Sequence, residues 1–384
     1  MDIKLIDSLS RIDAPAWNRL AGERYPFLRH EFLSALEESG SVSEQTGWIA
    51  RHLLVFDGDR LAALMPLYLK YHSAGEFVFD QPWAEAYQRH GLSYYPKWLT
   101  AIPFTPCQGP RFACDDSWPE ADLFPSLLSA IKDLSKTHAA SSWHCLFPSA
   151  AQAAGLEASG LLLREDVQFH WFNENYRDFE DFLENFTSGK RKMIRRERRK
   201  VKEAGIELIR LAGSGIGESE WRAFFRFYRM TYLKKGMRPY LNLDFFLNCA
   251  ATMGDRMLMV LATKEKSPVG AALSFIGADT LYGRYWGCLE EFAFLHFEAC
   301  YYQGLEYCIE QGLQRFDSGA QGEHKIARGF TPVTTCSAHW IKDPGFAKAI
   351  EHFLARERKA VHNYRQEAAS CLPFKQKMPN PDCK

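Results

Sequence analysis

The chain has no net charge: 47 Lys and Arg face 47 Asp and Glu over 384 residues. It has no run of eighteen apolar residues, so no membrane-spanning helix is expected. Its first residues, Met-Asp-Ile-Lys-Leu-Ile-Asp, lack the basic region and apolar stretch of a secretory signal, which points to the cytoplasm. None of its ten cysteines forms a Cys-x-x-Cys pair, so reduced, mostly buried thiols are expected rather than disulfides or zinc. No P-loop, dinucleotide-binding glycine pattern or Ser-His-Asp order is present. No metal site is expected either. His296 and Glu298, two apart on a helix, cannot share one face.

What is present is a chain with real cores. Hydrophobic residues make up 46% and aromatics 14%, ample for two or three globular domains. Charge is segregated. Nine of the thirteen residues from Lys190 to Lys202 are basic and only Glu197 opposes them, so this stretch carries +8 and the remainder −8. The stretch reads as a helix over 188–204. Ser188 is placed to cap it, Lys, Arg, Glu and Met favour it, and Gly205 ends it. Ile194, Glu197 and Val201 fall in one row, too thin an apolar stripe for a buried helix. Such a run is often only a solvated face. Its nearly single sign, unrelieved by Glu–Lys pairing, points instead to a phosphate-rich partner. Arg191, Arg195 and Arg198 at i, i+4 and i+7 share a face for phosphates, with Lys190 beside them.

The rest of the chain alternates strands and helices. Strands are expected at Trp48–Phe56, Leu61–Tyr71, Phe77–Asp80, Trp98–Ile102 and Ser142–Phe147, with helices at Arg29–Ser39 and Leu123–His138. From about residue 166 a similar order resumes. Strands are expected at Val167–Phe172, Ile206–Leu211, Met257–Thr263, Pro268–Ile276, Thr280–Cys288 and Arg315–Asp317. Long helices are expected at Glu218–Lys234, Leu295–Gly312 and Phe346–Ala369. The units 48–71 and 257–276 are both strand–turn–strand, which suggests one mixed α/β unit used twice.

The stretch Ser188-Gly189-Lys190-Arg191-Lys192 through Arg198, followed by Glu203-Ala204-Gly205-Ile206, resembles the coiled-coil entry of the Fem-type peptidyltransferases. Later blocks are similar to a bacterial FemAB-like family: Arg284-Tyr285-Trp286-Gly287, His296-Phe297-Glu298, Gly319-Ala320-Gln321-Gly322-Glu323-His324-Lys325 and Ala327-Arg328-Gly329-Phe330. So do Trp83-Ala84 and Tyr94-Tyr95-Pro96-Lys97 in the first half. The resemblance spans roughly 25 to 365. It implies an α/β fold of the GNAT superfamily with two tandem GNAT-like domains, each a twisted mixed β-sheet flanked by helices. We place these at 1–165 and 166–384, the second holding the basic helix and the closing C-terminal helix. It also implies transfer of an aminoacyl group from aminoacyl-tRNA to a cell-wall precursor peptide. The chain departs from that pattern in having no long two-helix coiled coil. It also lacks the glycine signature of an acetyl-CoA site.

Acyl transfer to an amine needs a positioned carbonyl, donors for the oxyanion and a proton acceptor. The loop after Arg315–Asp317 supplies candidates: Glu323 or His324 as base, Lys325 beside them, and glycines that let backbone amides approach a ligand. A bland polar turn is the competing reading. Arg284 and Arg328 join Lys190, Arg191, Arg195 and Arg198 as expected donor or phosphate contacts. Asp80, Trp83, Tyr87, Trp286 and His296 are the expected acceptor pocket, against an ordinary packed edge. The expected co-substrate is aminoacyl-tRNA or acyl-CoA, with no tightly bound cofactor, and the acceptor is a small or peptide amine. Two rival functions stay open: an acyl-CoA N-acyltransferase without RNA, and a non-catalytic module that grips a nucleotide or RNA.

Overall fold

The computed structural model describes residues 2–115, 117–118, 120–320 and 322–375, the side chains of 120–122 excepted. Gln321, Cys383 and the Pro-Asn-Pro-Asp tail, which the sequence suggests is frayed, lie outside the described residues. The described strands are β1 (Asp2–Ile6), β2 (Trp48–Ala50), β3 (His52–Asp57), β4 (Arg60–Met65), β5 (Tyr68–Lys70), β6 (Lys97–Thr100), β7 (Ala113–Cys114), β8 (Ser142–Leu146), β9 (Leu162–Phe172), β10 (Ile206–Ala212), β11 (Met257–Lys264), β12 (Ser267–Ile276), β13 (Thr280–Cys288), β14 (Arg315–Asp317) and β15 (Thr331–Ile341).

Eleven of these strands form one sheet in the order β10-β11-β12-β13-β14-β9-β15-β8-β6-β5-β2. It is mixed, because β13–β14 and β6–β8 run parallel among antiparallel neighbours. A second sheet, β1-β3-β4-β7, packs in the first half. The expected strand at 48–56 is therefore two strands serving different sheets, broken at Arg51. The return strand is broken in the same way between Met65 and Tyr68, where Pro66 cannot donate a ladder hydrogen bond. The segment expected as a strand at 77–80 is irregular, and Gln81–Arg89 is a helix.

The centre of the large sheet joins the two halves of the chain. β9 contains the division placed at 165/166, and it pairs with β14 on one side and β15 on the other. β15 in turn pairs with β8 of the first half, from Ser337↔Leu146 to Ile341↔Ser142. The halves thus share a continuous ladder rather than a linker. Their cores interlock as well. Phe27 and Phe32 make edge-to-face contacts with Phe275 and Phe245 of the second half at 5.3–5.5 Å. The closing helix Pro344–Ser370 lays Ile350 and Leu354, with half-buried Phe346 and Phe353, on Trp83, Tyr87 and Tyr94. This is the helical spacing expected for a packed face.

The basic helix spans Ser188–Glu203 and buries Ile194, Glu197 and Val201. Thr187, not Ser188, sits at its N-cap, and no side chain caps it. Gly205 ends it at φ +73°, the left-handed conformation suited to glycine.

Candidate active site

An irregular segment, a tyrosine-rich helix and a strand edge enclose a cavity of about 870 Å³ at the seam of the two halves. Residues 73–79 with Phe104 and Pro106 form the wall from the first half. Tyr228, Thr231, Tyr232 and Tyr240 line it from the second half, together with Arg284 and Trp286 of β13. The floor is the start of the helix after Phe294, with His296, Cys300 and Tyr301, and Ser318, Gly319, Ala320, Gly322 and His324 after β14.

Local chain geometry explains this convergence. The helix expected at 295–312 is interrupted by a π turn at Glu298–Tyr302 before resuming at Gln303–Glu310. One extra residue in that turn lets Cys300 and Tyr301 join His296 on the cavity side, a common use of π turns. On the opposite wall, Gly75 at φ +82° lies under the Phe104 ring, where a Cβ would sit 2.6 Å from Cδ1. The Phe104 ring stacks on Tyr240, with centroids 5.0 Å apart. Arg284 is pinned across the seam, its Nη2 donating to the Phe104 carbonyl at 2.7 Å.

The loop at 319–328 is a 3-10 helix from Glu323 to Arg328, not an open turn. Its three candidate residues diverge. His324 faces the cavity, and its Nε2 is 2.8 Å from the Tyr301 hydroxyl. Burial, aided by the cations of Arg328 and Lys325, lowers its pKa, so the neutral ring persists at pH 7. Gly322, at φ +117°, lies beneath this ring, and a Cβ there would meet Cε1 at 2.4 Å. Lys325 is buried and donates to the Gly319 carbonyl at 2.5 Å. Burial pushes it down to about 8 despite the opposing Asp317 carboxylate. It shapes the loop and is not on the cavity wall. Glu323 points away, accepting from Tyr364 of the closing helix at 2.7 Å. As a base for chemistry in this cavity, Glu323 is ruled out by that direction.

Three further expectations need correction. Arg328 is not free for a donor phosphate. It is buried, with Nη2 on both Glu197 oxygens at 2.7 and 2.8 Å, Nε on the Tyr302 hydroxyl and Nη1 on the His324 carbonyl. Arg198 is likewise committed to Glu298 and Glu306, whereas Arg195 makes only an exposed pair with Glu180. The helix is held to the body by carboxylates, so Arg198 on its inner side serves packing. Lys190 and Arg191 form no ion pair among the described residues, but neither lines the cavity. The acceptor set also splits. Trp286 and His296 line the cavity, and burial lowers His296 to about 4. Trp83 and Tyr87 lie elsewhere, under the closing helix, and Asp80 sits at the N-cap of their helix, off the cavity lining.

Asp80 belongs to a buried polar network. Lys97, fully buried, bonds Asp80 and also Glu76 at 2.7 Å, and Tyr94 donates to Asp80 at 2.6 Å. From Tyr94 the chain of contacts runs to His144, whose Nδ1 is 2.6 Å from Nδ1 of His339. Lys97 also donates to Ser73, so this network anchors the 73–79 wall from beneath.

The residues that pattern reading did not single out are Ser318, Asp317, Tyr228 and the tyrosines after it. Arg284 Nε, Ser318 Oγ and Tyr228 Oη are buried polar atoms without a partner, and all three belong to residues that line this cavity. Asp317 Oδ2 is a fourth such atom one residue away. Asp317 is buried, yet His170, the Gly319 N–H and Arg284 outweigh burial and hold its pKa low. The signal available in the sequence was the Asp317-Ser318-Gly319 step out of β14.

A profile of the FemAB-like family, described as peptidoglycan biosynthesis/recognition, matches residues 8–376. Among solved structures, FemX is similar over 91% of this chain and 100% of its own, at 12% identity and a TM-score of 0.52. The C-terminal domain of a putative lysylphosphatidylglycerol synthetase from Agrobacterium fabrum is similar over 91% and 97%, at 10% identity and a TM-score of 0.51. A tandem GNAT protein from the clavulanic acid biosynthesis pathway is similar over 89% and 99%, at 9% identity and a TM-score of 0.45. No curated protein matches the sequence. At these identities the likeness is one of fold, the mixed α/β architecture expected above. Among the described residues no helix is long and apolar enough to cross a membrane.

Proposed function

This chain belongs to the FemAB-like family, and from that premise we propose that it transfers an acyl or aminoacyl group from a phosphate-bearing donor to an amine in the seam cavity. The acceptor class we favour is the amine of a cell-wall precursor peptide, in keeping with the family's description. The observation that carries the reading is the cavity's chemistry: a neutral histidine, the half-buried Arg284 guanidinium with its Nε unpartnered, and two further unpartnered polar atoms around about 870 Å³. Buried polar groups ordinarily have partners, so their clustering in one cavity suits a polar ligand.

His324 is the proton acceptor in this scheme. The acceptor amine attacks the donor carbonyl, a C–N bond forms, and the nitrogen's proton passes to the imidazole. The imidazolium returns that proton to the departing oxygen of an aminoacyl ester, or to the sulfur of a thioester, as that bond breaks. The Nε2 contact with Tyr301 fixes the ring, and with Nε2–H donating to Tyr301, Nδ1 is the basic nitrogen. Arg284 supplies positive charge for the developing oxyanion or a donor phosphate. Trp286 and His296 shape the acceptor side.

The test pairs two donors with one variant. Aminoacyl-tRNA and acyl-CoA are each offered with an amine-bearing precursor peptide. Transfer from one of them is expected, falling roughly 10²–10⁴-fold in His324→Ala with folding intact. Transfer that survives His324→Ala undiminished would remove the histidine from the chemistry.

A further inference from the structure

The helix Glu218–Leu233 and the turn after it hold a second single-signed stretch: residues 221–240 contain six Lys or Arg and no Asp or Glu. Arg222, Arg226 and Arg229, with Leu233 one turn on, form a stripe along one face, and all four are exposed. They edge a groove of about 440 Å³ floored by Phe225 and Met230. Arg222 pairs with Glu218, but Arg226, Arg229, Lys234, Lys235 and Arg238 form no ion pair among the described residues. The turn after the stripe carries Lys235 and Met237 onto the lining of the seam cavity.

Large apolar side chains stand in water among these cations. Leu233 is 46% exposed and Met237 42%, and Phe79, on the cavity's opposite wall, is 61% exposed. A nucleic acid would satisfy the cations and leave the apolar groups solvated. A bilayer interface with anionic headgroups satisfies both, drawing in the basic side chains and accepting the apolar ones below the headgroups. We propose that this rim docks on an anionic lipid surface, with the cavity mouth opening onto it. The inference goes beyond the transfer reaction and is tested without any substrate.

The purified protein is sedimented with vesicles of phosphatidylcholine, alone or mixed with phosphatidylglycerol. Binding to the mixed vesicles is expected, weakening with salt, with little binding to phosphatidylcholine alone. Arg226→Gln with Arg229→Gln should lose on the order of 25-fold in partitioning, at roughly fivefold for each cation removed. Leu233→Ser should lose roughly tenfold. Thermal unfolding should be unchanged in both, since these side chains are on the surface. No binding of the native protein to mixed vesicles, or equal binding by the variants, overturns the proposal. Binding of total RNA through the same arginines without vesicle binding also overturns it, assigning the stripe to nucleic acid.

Discussion

Replacing Arg328 by Met should cost the protein about 3–5 kcal/mol of stability, as loss of one member of a buried ion pair does. Arg328 is 4% exposed and its partner Glu197 5%. The guanidinium makes hydrogen bonds to Glu197, Tyr302 and His324 and lies 3.4 Å above the Phe297 ring. Methionine retains much of the volume but strands the Glu197 carboxylate with only the Tyr302 hydroxyl. Because the cost lies mainly in that stranded charge, Glu197→Gln with Arg328→Met should recover part of it. The coupling in a double-mutant cycle, read from urea unfolding, should reach roughly 2 kcal/mol or more. It should also be insensitive to salt, since buried pairs are poorly screened. An Arg328→Met protein within about 1 kcal/mol of the native one would refute the reasoning, as would a coupling near zero. Arg328 would then be free for the donor after all.

Acid should destabilise the fold before its carboxylates titrate. Burial holds His144 at about 3 and His339 well below its ordinary value, so below about pH 6.5 the unfolded chain takes up two protons there that the folded chain does not. Glu76, pushed up to about 7 by burial, binds one in the folded state and offsets one of them. His296, held at about 4, adds a third, so the net uptake on unfolding of at least two protons lowers stability by about 2.7 kcal/mol per pH unit between roughly pH 6 and 4.5. Urea unfolding at several pH values measures this, and a flat or rising profile would contradict it. Gly322→Ala should displace the His324 ring and reduce turnover far more than stability, because the strain falls on a loop at the cavity wall. Normal turnover in that variant would argue against the His324 position. If the donor is an RNA, Lys190→Glu with Arg191→Glu should flatten the salt dependence of its binding by roughly 0.7 per lost phosphate contact. An unchanged slope would leave those two residues as a solvated face.

Local elements were legible where period and punctuation agreed. The helix at 188–203 with its buried row Ile194, Glu197 and Val201, the hairpin 257–276 and the closing helix all follow from spacing. The joint of the molecule was not legible. β15 begins with Thr331-Pro332 and its burial does not alternate cleanly, because it lies mid-sheet between β9 and β8 and changes neighbours along its length. Nothing local to residues 331–341 records that partner 190 residues away. The site shows the same division. The 319–328 segment and His296 were visible as chemistry-bearing residue types at strand and helix ends. Which of them face the cavity was not, since that depends on the π turn at 298–302 and on carboxylates such as Glu197, Glu298 and Glu306 that claim Arg328 and Arg198. A charge run reports how many cations there are, not which are already paired.

The central claim is that group transfer to an amine occurs in the seam cavity with His324 as base. Its most direct test is a labelled transfer assay in which aminoacyl-tRNA and acyl-CoA are supplied separately, each with a precursor peptide bearing a free amine. The reading predicts label on the peptide from one donor with the native protein, and a loss of roughly 10²–10⁴-fold in His324→Ala at unchanged melting temperature. Folded native protein that moves label from neither donor, or His324→Ala that moves it as fast as the native protein, would contradict it.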